Sequence, residues 1–293
     1  MQIGLIGLGK MGGGMVRRLQ EAGHRVFGVD LGADARRAAE EHGATTFEDV
    51  GSMIAALPAP RVVWIMLPAG RITREAIAGL AGQLTEGDLV VDGGNSDFRD
   101  APGHAQTLGA AGVGFADVGV SGGQWGWQAG YGMMVGASDE HFELLEPALQ
   151  ALAAPDGYSL VGGVGAGHLV KAIHNGVQYG VLQAYAEGFA LLSAHEEVDR
   201  LAAMSAWQGG SSIRGWLLGQ MVTALRESPD LDGALTAVAD SGMGRWTAEE
   251  AIRLAVPTPV LAAALHARFA SRSDGAANKL LTASRAQIGG QKS

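Results

Sequence analysis

Lys171, His174, Asn175 and Gln178 fall at spacings of i, i+3, i+4 and i+7 in the run Lys171-Ala172-Ile173-His174-Asn175-Gly176-Val177-Gln178-Tyr179. On an α-helix that spacing stacks all four on one face. A stripe of this kind is normally apolar and meets the core. Here it carries an amine, an imidazole and two amides, flanked by Leu169, Val170, Ile173 and Val177. Inward-facing polar groups need partners, and a bound polar substrate would supply them. The competing reading is a solvated helix face.

A second chemical signature lies at the start of the chain. Gln2–Ile6 reads as a short strand, followed by Gly7-Leu8-Gly9-Lys10-Met11-Gly12 and a helix that buries Met15, Val16 and Leu19. Strand, G-x-G-x-x-G and helix in that order form the dinucleotide fingerprint. Gly7 permits the turn, Gly9 the approach of a pyrophosphate, and Gly12 the packing of helix on strand. The helix N-terminus offers N–H groups to the phosphates. Asp30 ends the second strand, Arg25–Val29, where it would accept from a ribose diol and repel a 2′-phosphate. NAD is therefore expected over NADP, with Arg36 and Arg37 as nearby cations that read most simply as exposed helix charges.

Three further loops follow apolar strands: Pro68-Ala69-Gly70 after Val62–Leu67, Asp92-Gly93-Gly94-Asn95-Ser96 after Leu89–Val91, and Ser121-Gly122-Gly123 after Phe115–Val120. Paired glycines let a backbone approach a ligand, and Asn95 and Ser96 offer donors and acceptors. The Asp92-Gly93-Gly94-Asn95 run also reads as an ordinary turn. Tyr131–Val135, a helix over Glu140–Ala151 and a short strand at Ser159–Val161 complete the half. Strands alternating with helices predict a Rossmann-type, doubly wound α/β sheet with its ligand loops on the C-terminal edge.

From Gly163 the pattern changes to a long helix, His168 to about Ala194, then Ala- and Leu-rich helices broken at Gly209-Gly210, Ser228-Pro229 and Pro257–Pro259. The expected organisation is a dinucleotide-binding domain over 1–162 and an all-α C-terminal substrate and oligomerisation domain over 163–293. Arg214, Arg245 and Arg268 are its notable cations, each read equally well as a structural ion pair.

The net charge of −9 and the absence of a basic block argue against nucleic acid or an acidic membrane surface as partner. With no cysteine, thiolate chemistry is excluded, and no histidine pair has metal-ligand spacing. No apolar run is long enough for a membrane span, and the first strand lacks a basic leader, so the expectation is a cytoplasmic protein. His24, His42, His104 and His141 read as surface or helix residues.

Taken together, these motifs resemble the decarboxylating 6-phosphogluconate dehydrogenases, within the wider β-hydroxyacid dehydrogenase family. The likeness runs from Met1 to about Arg272 and is to the short form. It implies that Lys171 is the general base for the C3 hydroxyl as hydride leaves C3, and that it must be neutral near pH 7. It implies that His174 and Asn175 position hydroxyl and carboxylate. Asn95, Ser121, Gly122 and Gly123 hold a small anionic sugar acid, and Tyr179 and Arg268 its phosphate end. Leu8, Lys10, Met11, Leu67, Pro68, Ala69 and Asn95 join the fingerprint glycines around the cofactor. A homodimer or homotetramer is implied as well.

Three departures stand out. Gln178 replaces the family's acid glutamate, and an amide cannot act as a proton-donating acid. General acid catalysis is worth about 100- to 10,000-fold. Ser241 stands where the long form has a phosphate-loop lysine, and Gln291 where a tail histidine is expected. Two other outcomes are thus expected as rivals: dehydrogenation of another 3-hydroxy acid without decarboxylation, and a catalytically weak cofactor-binding sensor.

Overall fold

A computed structural model describes residues 1–273 and 275–279. They fall into two compact units, Met1–His174 and Asn175–Ser293. Gln291 lies outside the described residues.

The first unit alternates strand and helix. It runs β1 (Gln2–Ile6), α1 (Lys10–Glu21), β2 (Arg25–Val29), α2 (Ala33–Glu41), β3 (Thr45–Phe47), α3 (Val50–Ala56), β4 (Val62–Ile65) and α4 (Arg71–Ala81). It continues with β5 (Leu89–Asp92), α5 (Ala101–Gly109), β6 (Gly114–Ser121), the short α6 (Gly126–Ala129), β7 (Tyr131–Gly136), α7 (Asp139–Leu152) and β8 (Ala153–Gly162). The sheet order is β3-β2-β1-β4-β5-β6-β7-β8. All pairings are parallel except β6 with β7.

The strands read as continuous apolar runs because both sheet faces are covered. Side chains alternate between two cores. Ile3, Leu5, Trp64 and Val91 pack with Met15 and Leu149 on one side. Val63, Ile65 and Val90 pack with Met53, Ile77 and Leu108 on the other. Each such side chain, fully buried, contributes about 1.5–3 kcal/mol of transfer free energy. This is the doubly wound Rossmann-type sheet expected, with its parallel C-terminal strand edge carrying the loops.

Local differences have physical reasons. β3 is three residues of Thr-Thr-Phe, too short to show a period, and it forms by pairing with β2. The last strand spans Ala153–Gly162 because β7 gives it a long edge to pair with, despite Pro155 and Gly157. His104 lies on α5 but is buried, against the ring of Phe115 at 5.8 Å.

The division between the units falls within α8 (Ala166–Ser193). The second unit continues with α9 (Arg200–Gly210), α10 (Trp216–Glu227), α11 (Met243–Arg253) and α12 (Pro259–Ala270), with no strand among its described residues. Met204, Leu218, Val222 and Leu225 form one core with Tyr185 and Phe189 packed on it. The helices break where glycine and proline predicted. Along α8 one expectation fails: Ile173 and Val177 are 43% and 61% exposed, while Lys171 is buried. Positions 171 and 173 lie about 200° apart on a helix, so the side that seats the lysine turns the isoleucine outward. Among the described residues, no helix is long and apolar enough to cross a membrane.

Candidate active site

The fingerprint turn is held by close contacts that only glycine allows. Gly7 has φ +94°, and a Cβ there would lie 2.6 Å from the Met66 carbonyl oxygen. A Cβ on Gly12 would lie 1.9 Å from the Gly7 oxygen, so α1 packs directly on the turn. Beside Gly9 the space is open. These are the requirements of a backbone cradle for a pyrophosphate at a helix N-terminus. Two clefts adjoin it. One, of about 490 Å³, is lined by Leu8, Gly9, Lys10, Arg17, His42 and Trp127 among others. The other, of about 230 Å³, is lined by Met11, Met66, Leu67, Pro68, Ala69 and Asn95 together with Gly93 and Gly94. The residues therefore fit a dinucleotide.

Asp30 ends β2 as anticipated, with its carboxylate fixed by two backbone donors: Leu8 N–H to Oδ2 and Gly32 N–H to Oδ1, each 2.7 Å. Arg36 is less exposed than an ordinary surface charge, because Nη1 donates to the Asp30 carbonyl at 2.7 Å and Nη2 meets Glu48 at 3.1 Å. Arg37 pairs with Asp34 and is exposed.

The glycines after β5 serve packing as well as approach. A Cβ on Gly93 would lie 2.1 Å from Trp64 Nε1, and one on Gly94 2.8 Å from the Leu67 oxygen. Asn95 is exposed at the cleft, whereas Ser96 is buried and turned away from it. Ser96 therefore sits inside the turn, and Asn95 lines the cleft.

Lys171 is 5% exposed. Burial pushes its amine down from 10.5 to about 8, because an ammonium loses hydration there. At pH 7 about a tenth of such amines are neutral, so the expected neutral form is a minority in the chain alone. One helical turn on, His174 Nε2 lies 3.4 Å from Ser121 Oγ at the end of β6. Gly122 and Gly123, at φ +133° and +54°, turn the backbone away immediately afterwards. Ser121 and His174 thus come together in the first unit, with Lys171 one turn earlier on α8 and packed against Gly119 of the same strand.

In the second unit, Asn175 and Gln178 are half-buried on α8. Tyr179 is buried, its hydroxyl 3.5 Å from Ser241 Oγ and its ring 3.6 Å beneath the Arg268 guanidinium. Arg268 Nη1 donates to the Ala239 carbonyl at 2.7 Å. Arg245 is in an ion pair with Asp240 at 2.9 Å, the structural alternative. Arg214 is exposed.

Sequence reasoning missed Asp117, Gly119 and His168. Asp117 and His168 are buried, and Asp117 accepts from the N–H groups of Gly165 and His168 at 2.5 and 2.7 Å. The available signal was a carboxylate in the middle of the apolar run Phe115–Val120.

Residues 2–167 match the family described as the NAD binding domain of 6-phosphogluconate dehydrogenase, and residues 167–288 match the 6-phosphogluconate dehydrogenase C-terminal domain. The chain is 39% identical to an NAD(+)-dependent, decarboxylating 6-phosphogluconate dehydrogenase of Haloferax volcanii, over 94% of this chain and 92% of that one. It is 32% identical to a decarboxylating 6-phosphogluconate dehydrogenase of Escherichia coli K12, over 99% of this chain and 66% of that one. Among solved structures, Plasmodium falciparum 6-phosphogluconate dehydrogenase superposes with TM-score 0.85 at 25% identity, over 99% of this chain and 65% of that one. A Mycobacterium tuberculosis 3-hydroxyisobutyrate dehydrogenase shares the fold, with TM-score 0.73 at 24% identity over 94% of both chains.

Proposed function

We propose, for a chain that belongs to the 6-phosphogluconate dehydrogenase family of oxidoreductases, that it oxidises 6-phosphogluconate or a closely related anionic sugar acid at C3 with loss of carbon dioxide. The observation that carries this reading is the buried amine of Lys171, pushed down to about 8 by burial, on a side chain that packs against Gly119 of β6. NAD, with NADP as the alternative, supplies the hydride acceptor when held by Gly7–Gly12, Asp30 and Leu67–Ala69.

In this reading Lys171, neutral, removes the C3 hydroxyl proton. The resulting carbonyl draws in the electrons released when the carboxylate departs, and Lys171 returns its proton to that oxygen. Asn95, Ser121, Gly122 and Gly123 hold the sugar acid. His174 and Asn175 orient hydroxyl and carboxylate. Tyr179 and Arg268 are assigned the anionic end group, and Gln178 a hydrogen bond only. Residues 1–162 serve as the dinucleotide domain and 163–293 as the substrate and oligomerisation domain. Exposed Ile173 and Val177 favour assembly as a homodimer or homotetramer.

Gln178 favours a second reading, dehydrogenation of another 3-hydroxy acid that keeps its carboxylate. A third, a cofactor-binding sensor, is disfavoured because a sensor has no need of a buried base. A panel of phosphorylated and unphosphorylated sugar acids with both cofactors, read for reduced nicotinamide and carbon dioxide together, separates these outcomes. Equal yields of both products from 6-phosphogluconate are expected. Reduced nicotinamide without carbon dioxide moves the assignment to the second reading, and no turnover with any acid moves it to the third.

A further inference from the structure

We propose that Asp117 and Gly119 of β6 are positioning residues that fix where the Lys171 amine sits, by registering the start of α8 against the sheet. The inference rests on the reading of Lys171 as the base. Asp117, Gly119 and Ser121 are alternate residues of one strand and so share one face. Along α8, His168, Lys171 and His174 meet them on successive turns.

The first contact is an anchor. Asp117 Oδ1 accepts from Gly165 N–H at 2.5 Å and Oδ2 from His168 N–H at 2.7 Å. A helix begins with N–H groups that lack intrahelical partners, and a carboxylate there suits both the donors and the positive helix end. The second contact is a seat. A Cβ on Gly119 would lie 2.3 Å from Lys171 Cβ and 2.8 Å from the Gly167 oxygen. Gly167 is equally constrained, since its Cβ would lie 2.4 Å from the Asp117 oxygen and 2.6 Å from the Met134 oxygen. The third contact is Ser121 Oγ with His174 Nε2 at 3.4 Å. With no side chain between strand and helix at 119 and 167, the lysine stem lies on bare backbone. Any added bulk or lost anchor moves the amine.

Asp117 has another conceivable role, as a counter-charge to the lysine. Its two oxygens are occupied by the backbone donors of Gly165 and His168, which directs the carboxylate at the helix start. The two roles predict opposite signs. Losing a counter-charge lowers the lysine pKa; loosening the seat lets water in and raises it.

The test uses the full chain, whose lysines are Lys10, Lys171, Lys279 and Lys292. Competitive acylation with acetic anhydride across pH, read at Lys171 by mass spectrometry, reports its pKa without turnover. In Gly119→Ala and Asp117→Asn, Lys171 is expected to titrate about one unit or more higher than in the parent. Turnover of 6-phosphogluconate is expected to fall about 100-fold, as for a base displaced by an ångström. Asn keeps the volume of Asp117 but offers one acceptor oxygen, so it also decides the question if Gly119→Ala does not fold. An unchanged Lys171 pKa in a folded variant, or a lowered one in Asp117→Asn, overturns the proposal. Lys171→Met tests the underlying reading separately: full activity there removes the base itself, whatever the labelling shows.

Discussion

The guanidinium carbon of Arg268 lies over the ring of Tyr179, 3.6 Å from its centroid, and Nη1 donates to the Ala239 carbonyl at 2.7 Å. The cation–ring contact and one hydrogen bond hold the guanidinium while leaving other N–H donors to address an anion.

Arg268→Ala is therefore expected to raise KM for a phosphorylated sugar acid about 10- to 100-fold, with kcat within a few-fold and the unphosphorylated acid unaffected. Arg268→Lys should not restore binding, because an ammonium reproduces neither the stack nor the fork. Steady-state kinetics on the paired substrates check this, and equal losses on both acids would remove the phosphate role.

The buried lysine has a stability consequence of definite sign. Its folded pKa, about 8, lies below its unfolded value, so its burial destabilises the fold fully below pH 8 and the penalty fades as pH rises toward 10.5. Lys171→Met should be more stable than the parent at pH 7, by up to about 3 kcal/mol, and the advantage should shrink as pH approaches the unfolded pKa. Thermal melts at several pH values check the sign. In the parent, kcat/KM should climb with pH and level off above about 8 as the amine becomes neutral.

Asp30 holds the Leu8 and Gly32 N–H groups, so its removal both lifts a negative charge and frees two donors. Asp30→Ala should shift the ratio of kcat/KM for NADP over NAD upward by about 10-fold or more, a change of about 1.4 kcal/mol. A ratio that stays put would assign cofactor choice elsewhere.

Gln178→Glu installs a group able to donate a proton. If protonation after decarboxylation limits turnover, the variant should gain about 10- to 100-fold in kcat, and the C3-deuterium isotope effect on kcat should grow as hydride transfer becomes limiting. No gain in any step would favour the non-decarboxylating reading.

The Rossmann half was legible because its signals are local: glycines at forced contacts, apolar strands, and a carboxylate at the end of β2. Long-range partners were not. Gly119 is an unremarkable residue in a strand until Lys171, 52 positions later, is laid across it. His104 reads as a surface or helix residue, and it does lie on α5, but its long-range partner, the Phe115 ring, takes it inside. The helical stripe identified Lys171, but periodicity alone did not say which side of α8 the sheet would cover.

Because Lys171 faces β6 while Ile173 and Val177 face outward, α8 separates two kinds of selection by angle. Two aliphatic positions on the outer flank can therefore change without touching the side that seats the amine.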